Sequence, residues 1–597
     1  MKNFREETMV KPMAWAGIEV RLEGECADWQ VAAFMEEVES GIAEFHFQFS
    51  RPEPAVMPAF ALRWEFPDID LQGRWSPLAF RSKLIPPNWG SREVSQLASG
   101  APVMTLFNQA GENRLTFAFS DAMNQLEMYC GVEERNSVME CALEAFRSPT
   151  APVSGYECTL RLDIRPVRYE RALNDVAAWW AEMPEYRPSP VPAEAREVVY
   201  SSWYSYHQDL FAPELEAECR AAAGFGMKSI IVDDGWQTLD NHRGYAFCGD
   251  WEVCQERFPD MAAHVRNVHA SGLKYVLWYS MPWLGKKCRA FERFRDKTLF
   301  FEERLGAAAL DPRFPEVRDY LIGLYEKALR EWDLDGFKLD FIDTFEIRGE
   351  DPAVAENYAG RDFKSLPEAV DVLLSETMRR LRAIKPEVMI EFRQRYIGPA
   401  MRKYGNMFRA ADCPNDAVTN RVRTIDVRML AGDSAVHADM LMWNYAEPVE
   451  TAALQLLNVL FSVPQVSVRL EAVPAEHRAM LRFYLGFWRE YRDVLLDGTL
   501  RADHPELDYP RVTAIRGRRQ VTALYAQDQV VEFAPAPGDE LCIVNASGKS
   551  GVYLDLAEAP VAVELFSATG MALEIALPAA GPQRVGVPAA GLLRLRF

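Results

Sequence analysis

The sequence lacks the motifs of most metal, redox and nucleotide sites. Its ten cysteines are scattered and include no CxxC pair, which is typical of free thiols in a reducing compartment. The eight histidines form no HxH or HExxH pair, although separated ligands can still converge in a folded chain. No GxGxxG or phosphate-binding loop joins a strand to a helix. The sequence therefore predicts no cofactor and no dedicated metal site.

Long hydrophobic runs and excess positive charge are missing as well. No uninterrupted apolar stretch reaches the roughly eighteen residues of a membrane span, and residues 1–17 contain no signal-peptide core. The 66 basic and 87 acidic residues give a formal charge of −21, which argues against nucleic acid as a partner. We therefore expect a cytoplasmic protein with neither a membrane nor a nucleic-acid partner, and homo-oligomer formation stays open.

The spacing of apolar residues changes along the 597-residue chain and predicts three domains. Residues 1–183 read as short alternating strands of a β-sandwich, closed by one helix, and 184–197 form a proline-rich linker. Residues 198–505 alternate strands with amphipathic helices, and their nine strand candidates come close to the eight of a (β/α)8 TIM barrel. Over residues 506–597, apolar and polar residues again alternate as in short β-strands. The predicted fold class is α/β, with the barrel flanked by an N-terminal β-sandwich and a small C-terminal β-domain.

One stretch, Asp335 to Phe341, reads as a buried strand that ends in a carboxylate. Because side chains alternate along a strand, Lys338 and Asp340 share one face, which must line a cavity since unpaired charge in a core is too costly. The lysine would lower the pKa of Asp340 and keep it ionised, as a nucleophile requires. Taken alone, such a pair is better explained as a structural ion pair at a strand end, and the other motifs of the chain favour the functional interpretation.

Polar and aromatic residues close the other strand candidates, and in a barrel such positions gather at the catalytic face. Acidic residues bind sugar hydroxyls and indole rings stack on sugar C–H faces, so this composition indicates a carbohydrate site. The candidates that we carry forward are Trp203, Asp233, Asp234, Trp251, Lys338, Asp340, Arg393, Arg395, Asp412 and His437.

Several short motifs occur together in the order found in one enzyme family. They are Val232-Asp233-Asp234-Gly235-Trp236, Gly249-Asp250-Trp251, Leu310-Asp311-Pro312 before Glu316 to Leu321, Lys338-Leu339-Asp340, and Ala411-Asp412 through Asp416-Ala417. Together they resemble the retaining α-galactosidases of glycoside hydrolase family 36, the melibiase-like enzymes. The likeness spans about Val198 to Arg492, and the flanking β-domains agree with that family's layout.

The resemblance implies an exo-acting α-glycosidase that uses two carboxylates and takes an oligosaccharide or small α-glycoside. Asp340 matches the family nucleophile and Asp412 the general acid/base. Lys338, Asp233, Asp234 and Trp251 match positions that hold sugar hydroxyls or stack on the ring.

This chain departs from the family pattern at two places. Glu391-Phe392-Arg393-Gln394-Arg395-Tyr396 replaces a cysteine and a glycine-rich run, and the segment from Asp412 to Asp416 is one residue longer than S-D-x-T-D. Arg393 and Arg395 could bind a carboxylate, a sulfate or an extra hydroxyl, or they could pair with Glu391 or another acid of the cavity.

Three alternatives to an α-galactosidase-like hydrolase stay open. The chain could be a transglycosidase on the same scaffold, or a related α-glycosidase for a modified or anionic sugar. A non-catalytic carbohydrate-binding protein is the third alternative, but loss of Asp340 or Asp412 would have supported it, and both are present.

Overall fold

The computed structural model describes residues 10–26, 28–78, 80–90, 92–147, 150–240 and 242–597. The first nine residues of the predicted N-terminal domain lie outside this range. Within the described part, no helix combines the length and the apolar character needed to cross a membrane.

The N-terminal region is a sandwich of two six-stranded sheets, ordered β1-β2-β5-β11-β10-β7 and β3-β4-β12-β9-β8-β6. Along β2 and β4 buried and more exposed residues alternate, so one face of each strand packs into a core rich in Phe and Trp. The strands are β1 (Met13–Trp15), β2 (Ile18–Gly24), β3 (Gln30–Glu39), β4 (Ile42–Ala55), β5 (Phe60–Pro67), β6 (Gly73–Trp75), β7 (Glu93–Ser95), β8 (Val103–Phe107), β9 (Asn113–Phe119), β10 (Leu126–Glu133), β11 (Val138–Ala145) and β12 (Val153–Asp163).

Helix α1 (Tyr169–Glu182) follows the sandwich and precedes the proline-rich segment. That segment holds two short 3-10 helices, Pro184–Tyr186 and Ala193–Arg196, because its prolines fix φ and remove backbone donors. The predicted linker therefore follows a defined path into the first barrel strand.

The central region is a ring of eight parallel strands in the order β22-β21-β20-β19-β15-β14-β13-β23. Parallel bridges from His437 to Val463 and from Leu441 to Val466 connect the two ends of the ring. The three strands β16, β17 and β18 form a small separate sheet after β15. The strands are β13 (Val199–Ser201), β14 (Ser229–Val232), β15 (Lys274–Ser280), β16 (Trp283–Gly285), β17 (Thr298–Glu302), β18 (Ala307–Leu310), β19 (Gly336–Asp340), β20 (Met389–Arg393), β21 (Met407–Arg409), β22 (Ala435–His437) and β23 (Gln465–Val466).

Helices surround this ring and bury apolar faces against it. Helix α8 begins at the Ser365 cap, whose hydroxyl accepts the Glu368 N–H, as the capping-box pattern in the sequence indicates. The helices are α2 (Trp203–Tyr206), α3 (Ala212–Gly224), α4 (Met261–Ala270), α5 (Ala290–Phe294), α6 (Pro315–Trp332), α7 (Pro352–Ala355), α8 (Leu366–Ile384), α9 (Met401–Tyr404), α10 (Ala417–Ala431), α11 (Val449–Leu457), α12 (Ala475–Glu490) and α13 (Arg492–Asp497).

The C-terminal region is a second β-sandwich, with sheets ordered β24-β25-β26-β28-β33-β30-β31 and β27-β29-β32. Its first strand begins at Thr499 and pairs with β25, so this sheet starts before the predicted domain boundary at 505. The predicted fold class is confirmed. The strands are β24 (Thr499–Asp503), β25 (Arg511–Arg516), β26 (Arg519–Leu524), β27 (Val530–Phe533), β28 (Glu540–Asn545), β29 (Val552–Leu556), β30 (Ala562–Phe566), β31 (Ala572–Leu573), β32 (Gly581–Val585) and β33 (Leu592–Arg596).

All three regions meet at one buried carboxylate, Asp426 of α10. It accepts hydrogen bonds from the indole of Trp75 (2.8 Å) and the ammonium of Lys83 (2.7 Å), both in the N-terminal region. The phenol of Tyr509, in the C-terminal region, donates to it at 2.6 Å. Because a buried carboxylate is costly without partners, this side chain joins the three regions.

Candidate active site

Asp340 ends strand β19 at the carboxyl face of the barrel, and its carboxylate is buried. Phe341 follows with φ 64°, which turns the chain so that its N–H donates to Asp340 Oδ1 at 2.8 Å. Oδ1 also accepts from Arg393 Nε (2.6 Å) and from the hydroxyl of Tyr396 (2.5 Å). Oδ2 accepts only from Trp278 Nε1, at 3.2 Å, among the described residues.

These contacts set the ionisation of Asp340. Burial alone would raise the pKa of the carboxyl, but the charges of Arg393 and Lys338 and the hydrogen bond from Tyr396 hold that pKa well below its ordinary value. Asp340 is therefore a carboxylate at neutral pH. Its Oδ2 accepts fewer hydrogen bonds than Oδ1.

Lys338 points into the barrel from the same strand face as Asp340, and its direct partner is Asp233. The two side chains form an ion pair of 2.5 Å, and both are buried. Burial lowers the pKa of Lys338, but the charges of Asp233, Asp340 and Glu391 together outweigh this and raise the pKa above the ordinary value. The lysine therefore stays charged beside Asp340.

Asp234 lies one residue further along and is held by two amides. Gln208 donates to its Oδ2 at 2.6 Å and Gln237 to its Oδ1 at 2.7 Å. The chain turns here at Gly235 (φ +118°), where a side chain would meet the backbone of Gln208. Burial, reinforced by the charge of Asp233, raises the pKa of Asp234 to about 6.

Asp412 follows strand β21, and its side chain is 52 % exposed. Its Oδ1 accepts from Arg409 at 2.9 Å. Burial would raise the pKa of Asp412, but Arg409, Lys338 and Arg393 lower it below the ordinary value, while the charge of Asp340 opposes them. Asp340 and Asp412 are thus close enough to interact electrostatically.

Arg409 itself is fully buried and also pairs with Asp439. Asp439 in turn accepts from Tyr204 (2.9 Å) and from the Cys413 N–H (2.6 Å). This network fixes the start of the loop that carries Asp412.

The two arginines that depart from the family pattern have different environments. Arg393 is mostly buried and forms an ion pair with the cavity acid Asp340. Arg395 is 65 % exposed, and its Nε lies 3.6 Å from Asp343. Its carbonyl accepts the N–H of Gly100 at 2.7 Å, so the N-terminal sandwich contacts this edge of the mouth.

Aromatic rings form one wall of the mouth. Tyr245 stacks near Trp278 (6.1 Å between centroids) and near Trp283 (6.5 Å), and it makes an edge contact with Phe341 at 5.0 Å. Trp203 is half-buried on α2, just after β13, and packs on His207 at 4.6 Å.

Two predicted binding residues are buried away from the mouth. Trp251 packs among Trp236, Trp278 and Tyr279, so it supports the aromatic wall and is not an exposed platform. His437 donates from Nε2 to the carbonyl of Ala195, on the segment that enters β13. It is fully buried, which lowers its pKa to about 4. The prediction that His437 lines the sugar site does not agree with this position.

Sequence reasoning missed several residues around the carboxylates. Arg409 had a signal, because it is a charged residue that ends the otherwise apolar strand β21. Gln208, Tyr245 and Tyr396 lie in loops after strands, where no periodicity marks them. Asp416, which is part of the family-like motif, instead caps α10 by accepting the Thr419 N–H at 2.9 Å.

Among the described residues, no group of acidic, histidine or cysteine side chains suited to a metal lies at the barrel mouth. The group that does fit is Glu36, Glu44 and His46, on the N-terminal sandwich.

The fold and the site together define a (β/α)8 barrel whose mouth holds paired carboxylates, fixed cations and an aromatic wall. Residues 168–359 match the Melibiase family model. The chain is 24% identical to α-galactosidase C of Emericella nidulans over 165 residues, which is 24% of this chain and 22% of that protein. It is 23% identical to α-galactosidase AgaA of Geobacillus stearothermophilus over 155 residues, 24% of this chain and 21% of that one.

Solved structures extend the likeness to the whole fold. The glycoside hydrolase family 36 α-galactosidase AgaA of Geobacillus stearothermophilus has a TM-score of 0.63 at 15% identity, covering 97% of this chain and 81% of that one. The galactosidase domain of the α-galactosidase and sucrose kinase AgaSK has a TM-score of 0.65 at 13% identity, covering 100% and 85%. The chain thus resembles the family 36 α-galactosidases, and the predicted resemblance is confirmed. The aligned segments span 15% to 27% of the length of the curated relatives.

Proposed function

We propose that this chain is a retaining, exo-acting α-glycoside hydrolase of the α-galactosidase type. The observation that carries this proposal is the set of donors on Asp340, which keeps a buried carboxylate ionised and leaves one oxygen lightly bound. Relatives named as α-galactosidases support the same sugar, and AgaA structures are described in complex with stachyose and raffinose. We also propose a cytoplasmic location, since all ten cysteines are free thiols.

In the proposed reaction, Asp340 Oδ2 attacks the anomeric carbon. The bond to the leaving oxygen breaks, and Asp412 gives that oxygen a proton. Asp412 then takes a proton from water, which attacks the same carbon and frees Asp340. Two inversions at one carbon retain the α configuration. Bound substrate would cover the half-exposed Asp412, and such burial raises a carboxyl pKa and favours the protonated form that the first step needs.

The remaining polar residues have binding roles in this proposal. Asp233 and Asp234 would accept sugar hydroxyls, and Lys338 would donate to one while keeping Asp340 ionised. Trp203 would lie beside the bound substrate. The contact between Gly100 and the Arg395 carbonyl closes one edge of the mouth, which favours a chain end as substrate and hence exo action.

The alternatives differ in the acceptor and in the sugar. Transfer to a second sugar uses the same two carboxylates, so product analysis with and without added acceptors would separate it from hydrolysis. The pairing of Arg393 with Asp340 leaves exposed Arg395 as the freer cation for an anionic sugar in the central subsite.

A panel of chromogenic α- and β-glycosides tests the proposal, with galactose, N-acetylgalactosamine, glucose and uronic acid forms. We expect release from the α-galactoside, with the α-anomer of the sugar as first product by NMR. We also expect EDTA to leave the rate unchanged, because two carboxylates suffice for the reaction. The β-anomer as first product would overturn the double displacement, and loss of activity in EDTA that a divalent ion restores would contradict the metal-free mechanism.

A further inference from the structure

A second cavity, of about 450 Å³, opens on the same face of the barrel as Asp340. We call it the rim pocket and define it by Arg243, Trp283, Glu302, Arg304 and Arg348. These residues come from the segments that follow β14, β15 and β19. Loops after parallel barrel strands gather at the catalytic face, so the rim pocket lies beside the barrel mouth.

The aromatic wall joins this pocket to the reacting carboxylate. Trp283, which lines the pocket, lies parallel to Tyr245, with an interplanar angle of 2°. Tyr245 stacks on Trp278, whose indole N–H donates to Asp340. Trp283 also contacts Phe341, the residue after Asp340, at 6.3 Å between centroids. These ring contacts therefore connect the wall of the rim pocket to the residues around Asp340.

Positive charge is in excess in the rim pocket, although the chain as a whole carries −21. Arg348 is neutralised by Glu302 (3.0 Å) and Glu346 (2.8 Å). Arg304 has no ion-pair or hydrogen-bond partner within the described ranges. Arg243 contacts the ring of His207, which carries no negative charge in either protonation state and so does not neutralise the guanidinium.

Trp283 supplies an independent sign of a missing ligand. Its side chain is 3 % exposed, and its indole N–H has no acceptor among the described residues. Buried polar groups nearly always find a hydrogen-bond partner, so this N–H is an unusual unpaired donor in a side chain that lines the rim pocket. The guanidinium groups of Arg243 and Arg304, neither of which forms an ion pair among the described residues, together fit an oxyanion.

We propose that the rim pocket binds a carboxylate or sulfate carried by the leaving group of the substrate. This rests on the proposed glycosidase function. The sugar that is attacked would occupy the barrel mouth between Asp233, Asp234 and Lys338, so a group that extends along the aromatic wall belongs to the aglycone. Tyr245 lies beside that aglycone, and Arg243 and Arg304 hold its anionic group.

The test compares 4-nitrophenyl α-galactoside with its 3-carboxy-4-nitrophenyl counterpart, which adds one carboxylate to the leaving group. In the wild type at low salt we expect a KM about tenfold lower for the carboxylated substrate, since one charge-assisted hydrogen bond contributes about that factor. Arg304→Ala should bring the KM ratio close to one, and Arg304→Lys should restore part of it. The control Arg220→Ala, on the barrel helix α3, should keep the wild-type ratio.

Added salt should weaken the preference, because exposed cations are screened. Equal KM values for the two substrates in the wild type, or a ratio that Arg304→Ala leaves intact, would overturn the rim pocket assignment while hydrolysis itself stands.

Calorimetry separates this failure from a failure of the proposed function. If neither glycoside is cleaved, the hydrolase proposal fails, and binding of the two compounds to Asp340→Asn then decides the rim pocket. The pocket is supported if Asp340→Asn binds the carboxylated compound more tightly than the other compound and the double variant with Arg304→Ala binds the two equally. Equal binding of both compounds refutes it.

Discussion

Arg393 donates from Nε to Oδ1 of Asp340 across 2.6 Å, so a cation at the barrel mouth pairs with the carboxylate that we propose as the nucleophile. A substituent of the sugar would have to compete with Asp340 for this guanidinium. We therefore expect Arg393 to control the charge of Asp340 more than the choice of sugar.

Arg393→Gln should shift the acid limb of the kcat profile, measured at saturating substrate, to higher pH. The folded protein depresses the pKa of Asp340, so the nucleophile stays ionised at acidic pH, and loss of the neighbouring cation should raise that pKa. The matched control is Arg395→Gln, which removes a mostly exposed guanidinium and should move the limb less. An acid limb that stays in place in Arg393→Gln would refute this role.

The two carboxylates should respond differently to replacement. Asp340→Asn should abolish turnover of every substrate, because no leaving group replaces the attacking oxygen. Asp412→Asn should spare the first step for an activated aryl glycoside and slow the second for want of a base. A glycosyl-enzyme should then accumulate in mass spectra, and azide should restore turnover with retained α configuration. Inactivity of Asp412→Asn toward aryl glycosides, with no rescue and no trapped intermediate, would argue against its assignment.

Substrate affinity should depend on pH through Asp234. Its pKa is raised to about 6, so the carboxyl holds its proton at pH 5 and is ionised at pH 7, where it accepts sugar hydroxyls. Burial and the charge of Asp233 raise this pKa and the amides of Gln237 and Gln208 lower it, while burial and Asp234 raise the pKa of Tyr245. KM should fall as pH rises through about 6, and Asp234→Asn should flatten the profile in that range. A profile with the same inflection in Asp234→Asn would assign it to another group.

Arg409→Met should destabilise the barrel. The variant leaves Asp439 in the interior without its cation and also removes the positive charge near buried Glu391. Removing one member of a buried ion pair costs about 3–5 kcal/mol of unfolding free energy, measured here by urea denaturation. Arg220→Met should stay within about 0.5 kcal/mol of the wild type. Adding Asp439→Asn to Arg409→Met should recover part of the loss, and additive losses would contradict the coupling.

Strand periodicity predicted the residues whose positions follow from a regular backbone. Lys338 and Asp340 alternate with buried apolar neighbours along β19, so their shared face could be predicted from the order of residues alone.

Depth inside the barrel could not be predicted in the same way. His437 ends a strand as Asp340 does, yet it contacts the segment that enters β13, because the interior of a barrel is filled in layers. Trp251 was expected at the surface of the site, but its neighbours Trp236 and Tyr279 cover it.

Loop residues such as Tyr396 and Gln208 depend on contacts between distant parts of the chain. The loop that carries Tyr396 is fixed by the Gly100 N–H of another domain, about three hundred residues earlier, and a local pattern in the sequence does not record such a contact.

The three partners of Asp426 also bear on how this gene can recombine. A chimera that joins this barrel to a foreign N-terminal sandwich would bring a carboxylate into a junction without the indole of Trp75 or the ammonium of Lys83. Such a hybrid should fold poorly unless its N-terminal sandwich keeps both donors. The three regions should therefore be exchanged between related genes as one block.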